Sequence, residues 1–176
     1  MPDMTFNTTA GQAIERDMMV AFLNTATSAG TPTWSPMGAY VNDSSLGYDW
    51  QKDSSTDVLG VRRATMKKPQ MTQTFTADGV SSDDAALVKI WNLGVKEQNY
   101  TALANQDVLI VHKYAGTSGT AFFAERYSGA SVSLTSLGGE GGGNLTAEYE
   151  VEYAGTRTTG TASIAAGGSV TFSADE

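Results

Sequence analysis

The chain has 176 residues, with 11 Lys or Arg against 19 Asp or Glu, so its formal net charge is −8. This length fits one domain, and the negative charge disfavours a surface that grips nucleic-acid phosphates. Because the chain has no Cys and a single His, disulfides, thiolate metal sites and His-rich metal centres are excluded. The N-terminal residues lack the apolar stretch of a secretion signal and no run approaches transmembrane length, so we expect folding in a reducing cytoplasm and no membrane partner.

The first part of the chain predicts an arm followed by a folded domain. Residues 1–13 are polar and carry no clear hydrophobic pattern, which is typical of an arm. The apolar run at residues 18–24 suits a buried strand or a helical turn. Residues 34–40 predict a strand interrupted by proline and glycine. We expect the domain to span residues 14–165 and to end in a tail at residues 166–176.

A long protruding β-hairpin is predicted at about residues 46–77. Leu46, Tyr48 and Trp50 alternate with polar residues, and residues 53–57 form a turn-rich cluster. A basic cluster follows on the returning strand, made of Arg62, Arg63, Lys67 and Lys68. The cluster suits either a sheet edge protected by charge or a contact with an acidic surface of a neighbouring copy. A ribbon of this length is not stable alone in water, so the excess of sheet indicates assembly.

One amphipathic α-helix is predicted at about residues 81–97. Leu87, Ile90 and Trp91 share a helical face and are expected to pack against the sheet. Ser81 and Asp84 have the spacing of a capping box. Asp84 and Lys89 are expected on the outer side of the helix.

The second half reads as strands, so the fold class is mainly β, a sandwich or barrel with one flanking helix. The glycine-rich residues 138–143 form a flexible connection, because they lack the ending of a phosphate-binding loop and open no helix. Glu148, Glu150 and Glu152 alternate with Tyr149 and other apolar or aromatic residues, which places three carboxylates on one strand face. Like charges repel, so this face must be wet. It is either outer solvent surface or the wall of an acidic lumen.

The residues capable of catalysis or metal binding are too few and too scattered to form a site. The sequence therefore predicts no enzyme, no cofactor, and no catalytic or metal site. A nucleophile–base arrangement could be built only around His112, which sits in the most apolar strand and is expected to be structural. Asp53 and Asp57 are too sparsely supported for a calcium loop.

The order of these segments resembles the major tail tube proteins of long-tailed bacteriophages. The resemblance rests on five segments in this order: an apolar run at Met18–Asn24, the Trp-Ser-Pro-Met-Gly segment at Trp34–Gly38, and the hairpin at Leu46–Phe75 with its Asp-Val-Leu-Gly, followed by the helix at Ala85–Gly94 and a central strand at Val108–Tyr114. It implies a β-sandwich or barrel flanked by a helix. It also implies homo-hexameric rings that close a β-lined channel and stack into a tube for the genome, with the hairpin and the arms bridging rings.

The resemblance implies a virion tail location after assembly in the bacterial cytoplasm. The implied partners are further copies of the chain, the tape measure protein and tail-end or baseplate proteins, with DNA passing through the lumen without specific binding. The expected contacts between copies or rings are Tyr48, Trp50, Arg62, Arg63, Lys67 and Lys68, and the expected channel residues are Glu148, Glu150, Glu152, Asp49 and Asp53.

Two other readings remain open. A β-sandwich binding module, such as a virion adhesin or a carbohydrate-binding domain, would present aromatic residues near Tyr48 and Trp50. An enzyme would need a carboxylate pair that the sequence does not single out.

Overall fold

A computed structural model describes residues 5–28, 30–117 and 120–175, and most of these residues form antiparallel strands. The strands are β1 Met19–Asn24, β2 Trp34–Pro36, β3 Val41–Asp49, β4 Asp53–Thr56, β5 Arg62–Thr65, β6 Gln70–Ala77, β7 Gln106–Thr117, β8 Ala121–Gly138, β9 Thr146–Glu152, β10 Thr156–Ile164 and β11 Val170–Ala174. The helical elements are a 3₁₀ turn at Arg16–Met18, α1 at Ala85–Trp91, a π-helical turn at Asn92–Lys96, and α2 at Tyr100–Leu103.

The long strand β8 joins two layers of sheet. Its first half pairs with β7 on one edge and β10 on the other, which gives a first layer in the order β2-β1-β7-β8-β10-β11. Its second half pairs with β9, which gives a second layer in the order β8-β9-β6-β3. The two layers pack face to face like a sandwich, and the described strands form no closed barrel. The predicted fold class, mainly β with a flanking helix, is therefore confirmed.

Glycines occupy the place where β8 and its partners bend from one layer into the other. β9 ends at Glu152 and β10 begins at Thr156 along the same edge of β8. Between them Gly155 has a φ of +72°, and a Cβ there would lie 2.1 Å from the carbonyl oxygen of Ser128. Only glycine tolerates both the left-handed backbone and this close approach.

Two hydrophobic clusters fill the fold. The larger one lies between the layers and beneath α1, and it includes Leu23, Ile110, Phe75, Tyr149 and Val151. The rings of Phe75 and Tyr149 stack at 4.9 Å. The smaller cluster covers the other face of the first layer and is built from Phe22, Trp34, Leu109, Val111, Ala124, Ala162 and Val170.

The helix differs from the prediction at its start and on one face. Asp84, not Ser81, caps α1, because its Oδ1 accepts a hydrogen bond of 2.9 Å from the Leu87 amide. Asp84 is also only 5% exposed, so it does not lie on the outer side of the helix. Lys89 is partly buried as well, and its Nζ donates to the carbonyl oxygen of Asn24 at 2.6 Å.

Trp91 also requires a correction. Leu87 and Ile90 are 2% and 1% exposed, whereas Trp91 is 38% exposed. Successive helical residues are about 100° apart, so Trp91 lies at the border of a stripe centred on Leu87 and Ile90. The helix then widens into the π-helical turn, which shifts the later residues relative to that stripe.

The hairpin and the C-terminal segment also extend beyond their expected bounds. The hairpin base begins at Val41, and residues 53–56 form a strand, so the turn lies at residues 57–60 instead of 53–57. The expected tail at residues 166–176 contains β11, which pairs with β10. In the expected arm, Phe6 forms a single bridge with Ala115.

Candidate assembly surfaces

The outward side of the second layer is a continuous polar surface. Directly opposed residues of an antiparallel ladder point to the same side, and Glu150 is opposite Thr74 on β6 and Ser133 on β8. The registers define a surface that we call the acidic face, made of Asp43, Ser45, Gly47, Asp49, Gln70, Thr72, Thr74, Thr76, Ser131, Ser133, Ser136, Glu148, Glu150 and Glu152. It carries five carboxylates and neither Lys nor Arg.

The acidic face contains most of the residues expected to line a channel. Glu148 and Glu152 are exposed and Glu150 is partly buried, and the three form one row along β9. Asp49 lies on the same face at the hairpin end. Asp53 does not, because it belongs to β4 in a separate ladder. Hydroxyl residues flank the row of glutamates on both sides, so no neighbouring strand neutralises it.

Both borders of the acidic face are free strand edges. β3 is the last strand on one side, and the second half of β8 is the last on the other. Among the described strands, neither edge pairs further at these residues. On β3, Arg16 donates two hydrogen bonds to the carbonyl oxygen of Ser44, at 3.1 and 3.0 Å. Apart from that contact, these edges offer backbone groups to another strand.

Beyond the acidic face, the hairpin continues as an exposed two-stranded ribbon. We call residues 50–69 the hairpin extension. All residues of β4 and β5 are exposed. Asp57 shapes the turn, because its Oδ1 accepts from the amides of Leu59 and Val61 at 2.9 and 3.0 Å. The tip presents Val58 and Leu59 at 102% and 84% exposure.

The hairpin extension is basic, in contrast to the rest of the chain. It carries five cations, including the expected contact residues Arg62, Arg63, Lys67 and Lys68, against Asp53 and Asp57, which leaves a charge of +3. The four expected cations are all exposed. Arg63 lies 3.4 Å from Asp57 in a solvent-exposed ion pair, which contributes little to stability.

Tyr48 and Trp50 stand at the root of the extension. Their rings stack at 6.4 Å and are 47% and 43% exposed. They border a cavity of about 390 Å³ whose wall also includes Lys68, Glu125 and Arg157. The expected contact residues are thus divided between this root and the ribbon.

A buried carboxylate, Glu125, organises the floor of this cavity. Its Oε2 accepts from Arg157 Nε at 2.6 Å and from the Tyr127 hydroxyl at 2.9 Å, and its Oε1 lies 3.0 Å from His112 Nε2. Burial alone would raise the pKa of Glu125, but these hydrogen bonds and the nearby guanidinium outweigh it and hold the pKa at about 2. Burial and the same carboxylate raise the pKa of Tyr127, which therefore stays a donor.

His112, which the sequence predicts to be structural, is buried within this network. The imidazole is 5% exposed, and its other nitrogen, Nδ1, lies 2.9 Å from the Tyr114 hydroxyl. Since the Glu125 carboxylate can only accept, Nε2 donates the hydrogen bond between the two side chains. Glu125 and Arg157 were not predicted from the sequence. The only sign of them is that each is a charged residue within a predicted strand.

The described residues contain no cluster of three or more side chains suited to a metal ion. Among the helices in the described part of the chain, none has the length and apolar character needed to cross a membrane.

Solved structures with a similar fold come from an injection machine. One is a chain of the PVC sheath-tube complex of an extracellular contractile injection system in the extended state, with a TM-score of 0.51, 14% identity, and coverage of 86% of this chain and 94% of that chain. Another is from the PVC sheath/tube terminator in the extended state, with a TM-score of 0.52, 15% identity, and coverage of 86% and 99%. No family model and no curated protein matches the sequence. At this identity the likeness establishes the fold.

Proposed function

We propose that the chain is a structural subunit of a tail tube, in which identical copies form stacked rings. The observation that carries the proposal is the acidic face bounded by two free strand edges. A sheet with an open edge on each side can close through its neighbours, which removes edges that would otherwise promote aggregation. The fold shared with chains of a contractile injection system supports the same role.

In the proposed ring, β3 of one copy pairs with the second half of β8 in the next copy, and the acidic face lines the channel. Each copy then contributes four strands. With the six copies that the resemblance implies, strands about 4.8 Å apart and tilted by about 40° enclose a backbone tube about 45–50 Å across. This width leaves room for a DNA duplex after the side chains are placed.

The chemistry of the channel wall suits the passage of a polyanion. Lys or Arg on the wall would bind the phosphates, release the counterions of the duplex and so hold it in place. Carboxylates repel the duplex, and hydroxyls carry no charge that would bind it. We therefore propose that Glu148, Glu150, Glu152 and Asp49 face the lumen, and that genomic DNA passes without specific binding. The tape measure protein and tail-end proteins are the proposed further partners, in a phage virion.

The test is electron microscopy of the purified protein combined with hydrogen exchange. Rings or tubes are expected, and the amides of β3 should exchange more slowly in the tube than in dilute subunits. The amides of β1, which already pairs with β2 and β7, serve as the control and should change little. A protein that stays monomeric at every concentration would refute the proposal.

The stacked rings of Tyr48 and Trp50 beside a cavity favour a second candidate, a carbohydrate-binding module. Aromatic faces beside polar groups suit sugar rings. This candidate requires a monomer or trimer whose binding to a polysaccharide is lost in Trp50→Ala. Tube formation without such binding would exclude it.

A further inference from the structure

One side of the helical segment is apolar and only partly covered. Val88, Trp91 and Val95, which we call the apolar flank, are 38%, 38% and 39% exposed. Their spacing of three and four residues places them on one side of the helix. Lys89 lies about 100° or more around the helix from each of them, and its Nζ donates to the carbonyl oxygen of Asn24 on β1. The apolar flank therefore faces away from β1.

The helical segment lies over β8, at one border of the second layer. A Cβ on Gly94, in the π-helical turn, would lie 3.8 Å from the Cβ of Leu134 in the second half of β8. Leu137 on the same strand is opposite Ala147, which is buried, so both point to the inner side of the layer. Leu137 is nevertheless 39% exposed. This border thus presents apolar side chains beside a free backbone edge.

The opposite border of the second layer contains a groove, which we call the side groove. It is lined by residues of β1, β3 and β6 and by the segment 36–39, and its volume is about 560 Å³. Eight of its fifteen lining residues have apolar side chains, among them Met19, Met37, Val41 and Phe75. The side groove is therefore mainly apolar.

The polar residue in the floor of the side groove is already hydrogen-bonded within the subunit. Gln73 is 2% exposed, donates to Ser44 Oγ at 2.8 Å and accepts from the Tyr153 hydroxyl at 2.5 Å. It therefore needs no polar partner from a bound molecule, so the floor suits an apolar one.

The apolar flank and the side groove lie at the two ends of one row of the sheet. Leu134 is opposite Tyr149, Tyr149 is opposite Phe75, and Phe75 is opposite Ser44. Gly94 and the neighbouring Val95 stand at the β8 end of this row, and the side groove lies at its β3 end. The four strands alternate in direction, so β3 and β8 can pair between copies in the same antiparallel order. Such pairing brings the flank of one copy beside the groove of the next.

We propose that the apolar flank of one copy packs into the side groove of the next copy around the ring. This rests on the proposed tube function and adds a side-chain contact to the pairing of β3 with β8. Both surfaces face solvent in a single subunit, and packing them together removes apolar area from water. The flank is about 10 Å long, so it still reaches the groove when the paired strands are offset by two or three residues. Because flank and groove are different surfaces, the contact is head-to-tail and closes into a ring by rotation.

A pair of cysteines tests the contact directly, since the natural chain has none. Val95→Cys and Ala39→Cys place one thiol on the flank and one at the groove, both at exposed positions. In assembled protein, a short thiol cross-linker should join each copy to the next, and the products should end at the number of copies in one ring. The matched control combines Val95→Cys with Thr171→Cys, an exposed position on β11 at the far edge of the first layer, and should give no cross-linked copies.

A charge on the flank tests the same contact through assembly. Val95→Asp should lower the sedimenting fraction about tenfold or more, because the contact would bury a carboxylate that has no partner. Thr171→Asp adds the same charge on β11 and should assemble like the wild type. Urea unfolding of dilute subunits should show that both variants remain folded, since both positions are exposed in the subunit.

The outcomes separate the contact from the tube function. If the wild type assembles but the Val95 and Ala39 cysteines do not cross-link, or a folded Val95→Asp assembles like the wild type, the contact is refuted and the tube function stands. Cross-linked products that continue beyond one ring would place the contact between rings and would also overturn it. A Val95→Asp chain that does not fold leaves the decision to the cross-link. If the wild type forms neither rings nor tubes, both proposals fail together.

Discussion

Replacing Glu125 with Gln should lower the free energy of unfolding at neutral pH and make it less dependent on acid. In the wild type the carboxylate accepts hydrogen bonds from His112, Tyr127 and Arg157 at the bend between the layers. Glutamine keeps one acceptor oxygen, but its amide group replaces the other oxygen with a donor. That donor then faces the donor groups of the surrounding side chains. One of these groups then loses its partner in a buried setting.

The magnitude follows from the pKa of Glu125. It falls from an ordinary 4.5 to about 2 in the folded chain, and a difference of this size corresponds to about 3 kcal/mol of unfolding free energy. Since the folded pKa is the lower one, this contribution is complete above about pH 4.5 and disappears as the pH falls towards 2.

The assay is urea unfolding of dilute subunits at pH 7 and at pH 3, for the wild type and Glu125→Gln. The two should differ by about 3 kcal/mol at pH 7, and the gap should narrow at pH 3. Glu97→Gln removes an exposed carboxylate and is the control, with a change within about 0.5 kcal/mol. A gap below about 1 kcal/mol at pH 7, or one equally large in acid, would refute this account of the network.

Further substitutions test the helix, the bend and the channel. Ile90→Ala should lower the free energy of unfolding by about 2–5 kcal/mol, and Trp91→Ala by less than about 3 kcal/mol, because the Trp ring is only partly buried. A larger loss for Trp91→Ala than for Ile90→Ala would mean that the helix is rotated. Gly155→Ala should cost more than about 1 kcal/mol, whereas Gly141→Ala, which meets no atom within 4 Å, should be nearly neutral in the same assay. Glu150→Lys should make assembled tubes bind a short labelled duplex at low salt, and equal binding by the wild type would contradict an acidic lumen.

Period-two alternation predicted the acidic face well. Glu148, Glu150 and Glu152 were placed on one side because successive strand residues point to opposite sides, and that rule holds without tertiary information. The hydroxyl residues on β6 and β8 that complete the face were beyond prediction, because register between distant strands depends on their pairing.

Local competition explains the errors in the hairpin and the helix. Residues 53–57 have turn-forming side chains, yet the first four of them form β4. The turn lies at residues 57–60 instead, because the Asp57 side chain accepts hydrogen bonds from two amides there. Ser81 and Asp84 both suit a helix cap, and burial of Leu87 favours the second. In the network, Glu125 contacts His112 and Arg157, which lie 13 and 32 positions away along the chain. A single sequence does not indicate which distant residues meet.

The distribution of charge resolves an apparent conflict between a net charge of −8 and self-association. On the proposed arrangement, carboxylates of adjacent acidic faces repel one another around the ring, so closure there must come from backbone pairing at β3 and β8 rather than from charge. The hairpin extension holds five of the eleven cations, and in the tube that we propose it reaches the next ring. Added salt would therefore weaken stacking while relieving repulsion within a ring. Rings should outlast tubes as ionic strength rises, because only the contact between rings depends on attraction between opposite charges.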